Sequence, residues 1–519
     1  MCLLQSSIST LVITLSLITR SLAEDELASA SPTEGPRGCR GKKYMVRDQL
    51  EHPYPDKLVG EDYETTLADQ RGGSSIFGPY RVKDQAGARA AKCNELGFAG
   101  GYPCRNVDLL SMLDTNELAA AFPTGSFYNA LNDIWGWTDP VSKREFSIVG
   151  LRRGTAFVEI TDPYNPRYLG VLPASAPATF WRDMKVMDHY ALIVSDVSKH
   201  GMQIFDMQHL LNATENTLWS EDAHYDEFGN AHNIFVNEDS GFAYAVGSNT
   251  CNGGLHMIDV NDPMNVFFAG CFSEDGYVHD AQCVIYDGPD TTYTGREICF
   301  CANEDSIAVV DVTDKSDPQI ISNVFYDQRG YTHQGWLTED KQYFIFNDEL
   351  DENYGIAPKT RTHLMDVKNL SNISYVGYHS GRTAAIDHNL YVKGDFVYQA
   401  NYRAGLNVLK MNGDKFEESG YFDIFPMSDS NSFNAAWSTY PYHESGVVTV
   451  SGIEQGLFIL KFNSRKQCVD TSLRFKVFWN DRQITRDCFW IGNRATVQRC
   501  NLEGVSAACP VTCNKCDTC

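Results

Sequence analysis

The chain has 519 residues, 43% of them hydrophobic and 21% charged, which is ordinary globular composition with material for a large core and excludes a disordered chain. Its formal net charge of -24 repels phosphate backbones and anionic lipid, which argues against nucleic-acid or membrane-surface partners. Beyond the N-terminal segment, no stretch approaches the ~20 apolar residues a membrane helix needs.

Residues 1–23 read as a secretory signal peptide. Ile8 to Thr19 is an apolar run, and Ser21 and Ala23 place small residues where a signal peptidase cuts. The segment before the run has no Lys or Arg, and a buried N-terminal helix is the alternative reading. Export makes the chain secreted or cell-surface and puts its cysteines in an oxidising compartment. Of the 16 cysteines Cys2 leaves with the signal, so the rest are odd in number and one thiol is unpaired within the chain. Residues 24–130 form a leader and a Cys-containing entry segment, in which Val107 to Ala121 reads as a helix. Asn212, Asn369 and Asn372 head glycosylation sequons and belong on surface loops.

From 131 to 463 the sequence repeats itself. Similar tetrads begin at Asn132, Arg182, His232, His279, His333, His388 and Asn434, at intervals of about 50 residues, the period of propeller blades. Each tetrad opens a unit of short β-rich runs. In the third unit, Phe242 to Val246 and Leu255 to Val260 are followed by Asp262-Pro263, a pair that ends a ladder and starts a turn. Four strands per unit, seven times over, bury their faces only when stacked radially. The fold class is therefore all-β, a seven-bladed β-propeller. A sandwich does not need this recurrence, and a β-helix coil is shorter.

The repeat grammar Gly-Leu-x-x-x-Asp-Val-x-Asp-Pro resembles the LVIVD repeat. The run from about 93 to 462 resembles the choice-of-anchor B family through Gly101-Tyr102-Pro103-Cys104, Trp135-Gly136-Trp137, His279-Asp280-Ala281-Gln282-Cys283, Thr332-His333-Gln334-Gly335-Trp336 and Asp387-His388-Asn389-Leu390-Tyr391. The resemblance implies an exported propeller with variable C-terminal attachments and no settled biochemical activity.

Residues 468–519 hold Cys468, Cys488, Cys500, Cys509, Cys513, Cys516 and Cys519, the density of a small disulfide-stapled module. Its Cys509-x-x-x-Cys513-x-x-Cys516 ending resembles a ShK-type module, and a zinc site is the competing reading. The expected disulfides of the main body are Cys251–Cys271, Cys283–Cys299 and Cys93–Cys104.

In a propeller the first strands line the channel, and the loops between second and third strands ring one mouth. The tetrads bring Asp133, Asp183, His232, His279, Asp280, His333 and His388 to that axis. The loops add Arg152, Arg153, Asp196, His200, Glu304, Asp348, Glu349, Arg403 and Glu454. Converging imidazoles and carboxylates suit a divalent metal in the channel, with His232, His279, His333 and His388 as ligands, or a polar ligand at the mouth. A repeated position equally suits hydrogen bonds that lock neighbouring blades, and both readings stay open. Trp135, Trp336 and Trp437 recur on the repeat and read as packing. The run Asp348 to Glu352 lacks the Asp-x-Asp-x-Asp-Gly calcium spacing and reads as a solvated acidic loop. No Gly-x-Ser-x-Gly elbow, His-Glu-x-x-His or P-loop occurs. The function that follows is an extracellular scaffold binding a protein, glycan or matrix ligand at the channel mouth, its C-terminal module localising it. The alternative is a metal-dependent propeller hydrolase or lyase using the channel His and carboxylates.

Overall fold

The computed structural model describes residues 90–123 and 129–464 and, beyond them, the backbone of strands Phe475–Trp479 and Arg482–Arg486 with Cys500 and Asn501. The expected signal peptide and leader and most of the expected Cys-rich module lie outside the described residues. The fold is a seven-bladed β-propeller. The inner strands of blades one to seven are Leu131–Thr138, Arg182–Met187, Asn233–Asn237, Asp280–Ile285, Thr332–Leu337, Leu390–Lys393 and Ala436–Tyr440. Neighbouring inner strands touch in cyclic order, and the seventh meets the first. Each repeated tetrad falls on or immediately before one of them.

Period-two alternation explains the packing, because successive side chains on a strand face opposite neighbours. In blade two, Ile193 packs toward blade one with Ile148, Phe157 and Phe205, whereas Leu192 and Val194 pack toward blade three with Ile234 and Ala243. Both faces are buried, so the strand reads as the unbroken apolar run Ala191 to Val194. One apolar cluster fills each gap between blades. No helix among the described residues is long and apolar enough to cross a membrane.

The helix expected over Val107 to Ala121 does not form. Val107–Leu113 is a strand and completes blade seven by pairing antiparallel with Gly456–Phe462, Leu109 opposite Leu460 and Leu113 opposite Leu457. The helical signal was local. The backbone N–H of Glu117 donates to Asp114 Oδ1 at 2.8 Å, and that of Asp114 donates to Glu117 Oε2 at 2.7 Å. This is a capping box that organises one turn after the strand. Joining the two ends of the ring in one sheet removes two open edges.

The three expected disulfides are present: Cys93–Cys104, Cys251–Cys271 and Cys283–Cys299, with Cα separations of 5.9, 5.6 and 4.0 Å. Cys283 and Cys299 sit directly opposite on paired strands. Among the described residues Cys301 is a free, buried thiol. Asn212, Asn369 and Asn372 are exposed.

Candidate functional site

The first tetrad residues of blades three to six place four imidazoles side by side around the mouth. Ring centroids are 4.3 Å apart for His232–His279, 4.3 Å for His279–His333 and 4.4 Å for His333–His388. Neighbouring backbone fixes two of the tautomers. His279 Nδ1 donates to the His333 carbonyl at 2.9 Å, and His388 Nδ1 donates to the Trp437 carbonyl at 2.5 Å. A carbonyl only accepts, so the proton of each neutral ring sits on Nδ1 and Nε2 keeps its lone pair. These bonds cross from blade to blade. The same histidines therefore lock the ring and present donors to its axis.

Glu349 closes the site. It follows strand Tyr343–Asp348 of blade five, in the loop before Arg361–Asp366. Its Oε1 lies 3.4 Å from His388 Nε2, and its Oε2 lies 3.7 Å from His333 Nε2. The Tyr402 hydroxyl donates to Oε1 at 2.8 Å. One ligand atom from each of His333, Glu349 and His388 lies within 4.8 Å of the others, and all three residues are buried. Burial pushes the His388 imidazole down to about 3. Burial, with His279, His388 and His232 nearby, holds His333 well below the ordinary value. The neutral His388 ring, protonated on Nδ1, opposes its Nε2 lone pair to the Glu349 carboxylate, and a cation between them relieves this. Two imidazole nitrogens and one carboxylate are a donor set for borderline divalent metals, whose tetrahedral ligand atoms lie about 3.4 Å apart when bonds are about 2.1 Å.

The other mouth residues are engaged around this centre. Asp196 Oδ2 meets His232 Nδ1 at 3.2 Å. The Tyr331 hydroxyl donates to Glu304 at 3.3 Å. Asn434, the first tetrad residue of blade seven, accepts from Arg403 at 2.6 Å and donates to Glu454 at 2.8 Å. Arg403 thus ties blade six to blade seven, and Glu454 braces Asn434 from within blade seven. In blade two the equivalent residue is Arg182, buried, with Nη1 donating to His200 Nε2 at 2.7 Å. Burial pulls Arg182 down to about 9. Arg152 lies over the Phe180 ring and Arg153 over that of Phe122.

The second tetrad position lies deeper and is largely architectural. Asp183 Oδ2 accepts the Ile234 N–H of the next blade at 2.8 Å, and Gln334 bonds both backbone groups of Leu390. Lys185 Nζ donates to Asp183 at 2.6 Å, and Asp133 and Asp280 share its field. Burial, reinforced by Asp183, raises Asp133 above the ordinary carboxyl range and Asp280 to about 8. Burial opposes the charge on Lys185, but Asp183, Asp133 and Asp280 outweigh it and raise its pKa. On the fourth tetrad position, Trp135 packs on Tyr391 at 5.5 Å and Trp336 on the same ring at 5.0 Å. Trp437 sits instead against His388, at 5.2 Å.

The acidic run is not a solvated loop. Asp348, Glu349, Leu350, Asp351 and Glu352 are all buried. Asp348 accepts from the Tyr326 hydroxyl and from the backbone N–H groups of Gly330 and Tyr331, and Arg361 pairs with Asp351. Tyr402, Lys185 and Asp387 were not singled out as site residues from sequence. Only their places beside the repeat columns, next to Arg403, Asp183 and His388, mark them.

No protein-family model matches the chain, and no curated protein matches its sequence. Among solved structures it is similar to Kuenenia stuttgartiensis hydrazine synthase, at 10% identity and TM-score 0.46 over 66% of this chain and 98% of that one. It is similar to the Cps50 (Swd1) β-propeller domain of Myceliophteria thermophila, at 9% identity and TM-score 0.42 over 66% and 98%. A functionally unknown protein from Desulfotomaculum acetoxidans aligns at 10% identity and TM-score 0.41 over 62% and 89%. Nothing about activity transfers at these values.

Proposed function

We propose that the chain is a secreted binding protein whose ligand seat is the propeller mouth, with a divalent metal of the borderline class, zinc foremost, at its floor. The observation that supports this is the approach of His388 Nε2, His333 Nε2 and Glu349, with the His388 tautomer set by the Trp437 carbonyl. Three protein ligands leave a coordination position open to an oxygen donor of an extracellular protein, glycan or matrix ligand. Export is supported by the three disulfides, which persist in oxidising compartments. Kinship with the choice-of-anchor B family rests on its motif residues in the sequence alone.

A second reading, a metal-dependent hydrolase or lyase, is favoured by one observation. His279 lies against His333, ring centroids 4.3 Å apart, which brings a further imidazole next to the proposed ligands as a candidate for proton transfer. Calorimetric zinc titration of chelator-stripped protein tests the shared premise. One ion bound per chain, weakened at least tenfold in His388→Ala, supports it. No zinc binding by the wild-type chain overturns both readings.

A further inference from the structure

Behind the mouth lies a second cluster with different chemistry. Asp351 and Glu352 belong to the loop after Glu349, and Asp387 immediately precedes His388. One oxygen from each of the three lies within 4.8 Å of the others, and all three side chains are buried. Their hydrogen bonds leave definite gaps. Arg361 donates to Asp351 Oδ2, while Asp351 Oδ1 has no partner. Both carboxylate oxygens of Glu352 lack a partner, although the residue is only 5% exposed. Asp387 accepts backbone N–H groups of Asp348 at 3.1 Å and Arg361 at 2.9 Å, one on each oxygen, which leaves a further lone pair on each.

We propose that Asp351, Glu352 and Asp387 hold a hard divalent cation, calcium by class, in a site separate from the histidine centre. Left ionised, three carboxylates facing one guanidinium put surplus negative charge in the interior, which burial makes costly unless protons or a cation join it. The unpartnered oxygens point to where that charge sits. The donors are all oxygen, with no imidazole or thiolate, which selects calcium over zinc. The loop is already folded for the purpose. The Asp351 carbonyl accepts from Ile356 at 2.8 Å and Ala357 at 3.1 Å, and Asn431 holds the Glu352 carbonyl at 3.1 Å. A cation here joins the blade-five loop to the residue before His388, and so fixes Glu349 and His388 relative to each other. The site stands whether or not the mouth binds metal.

The test is calorimetric titration of the full, chelator-stripped chain with calcium chloride, with thermal melts in calcium and in chelator. The expected result is a calcium-binding event in the wild type that is weakened at least tenfold in Glu352→Gln and unchanged in His388→Ala. Glu352→Gln replaces a buried carboxyl group with an amide of the same shape, so its melting temperature in chelator should stay close to that of the wild type. Absence of calcium binding by the wild type, or the same affinity in Glu352→Gln, overturns the proposal and leaves a cluster of carboxyl groups sharing protons. A Glu352→Gln chain that melts well below the wild type in chelator also counts against it. Loss of zinc binding in His388→Ala with calcium binding intact separates this site from the mouth.

Discussion

His388 bridges two blades through the two nitrogens of one ring: Nδ1 donates to the Trp437 carbonyl at 2.5 Å, and Nε2 faces Glu349 Oε1 at 3.4 Å. An architectural bond therefore sets up a chemical one. The repeated histidine position serves the ring and the site together, because the tautomer that locks the blades is the one that leaves Nε2 free to bind.

Tyr402 is the positioning residue for that site. Its hydroxyl donates to Glu349 Oε1 at 2.8 Å, the oxygen that faces His388 Nε2, and so fixes that carboxylate. Outer-shell partners of this kind are worth about 10- to 100-fold in metal affinity. Tyr402→Phe should weaken zinc binding by that range in calorimetry while keeping one ion per chain. An unchanged affinity would remove Tyr402 from the site.

Asp280 gives the propeller a defined pH dependence. Its pKa is raised to about 8 by burial and Asp183, above the unfolded value, so its stabilising contribution is complete below the ordinary carboxyl range. Between that range and about 8 only the folded chain keeps the proton. Stability then falls by up to about 1.4 kcal/mol per pH unit, and the contribution is gone above 8. Asp280→Asn should flatten the slope of unfolding free energy between pH 5 and pH 8, measured by denaturant titration. Parallel slopes for variant and wild type would contradict the assignment.

Ring closure rests on Val107–Leu113 pairing with Gly456–Phe462. Leu109 is fully buried between blades six and seven, so Leu109→Ala should cost about 2–5 kcal/mol in denaturant unfolding. Val376, on the outer strand of blade five, is 42% exposed, and Val376→Ala should stay within about 0.5 kcal/mol. Equal effects at the two positions would mean that the strand does not close the ring.

Cys301 is buried, and burial, with Asp275 and Asp280 nearby, raises its thiol well above the ordinary value. The thiolate is the reactive form. Peptide mapping after iodoacetamide treatment should find Cys301 unmodified in the native protein and modified after unfolding without reduction. Rapid native labelling would contradict its burial.

The blade count was legible because every inner strand opens on a related tetrad, and the disulfides because each pair falls within a single blade or the short entry segment. The closing strand was not. Val107, Leu109, Leu110, Met112 and Leu113 fit either a helix or a strand buried on both faces, and the choice is made by residues 456–462, more than 300 positions away. The histidine column was legible as a column. The partnership of Glu349 with His388 was not, because it depends on how blades five and six sit against each other. The acidic run looked solvated because local composition does not reveal Arg361 or the backbone donors that enclose it. Asp183, counted among ligand candidates from sequence, is committed to Lys185 and to the backbone of the next blade.

The most direct measurement is anomalous diffraction at the zinc edge from crystals grown with zinc in excess. The account predicts a peak about 2.0–2.2 Å from His333 Nε2, His388 Nε2 and a Glu349 oxygen. Density showing those three side chains with no anomalous peak between them would contradict it.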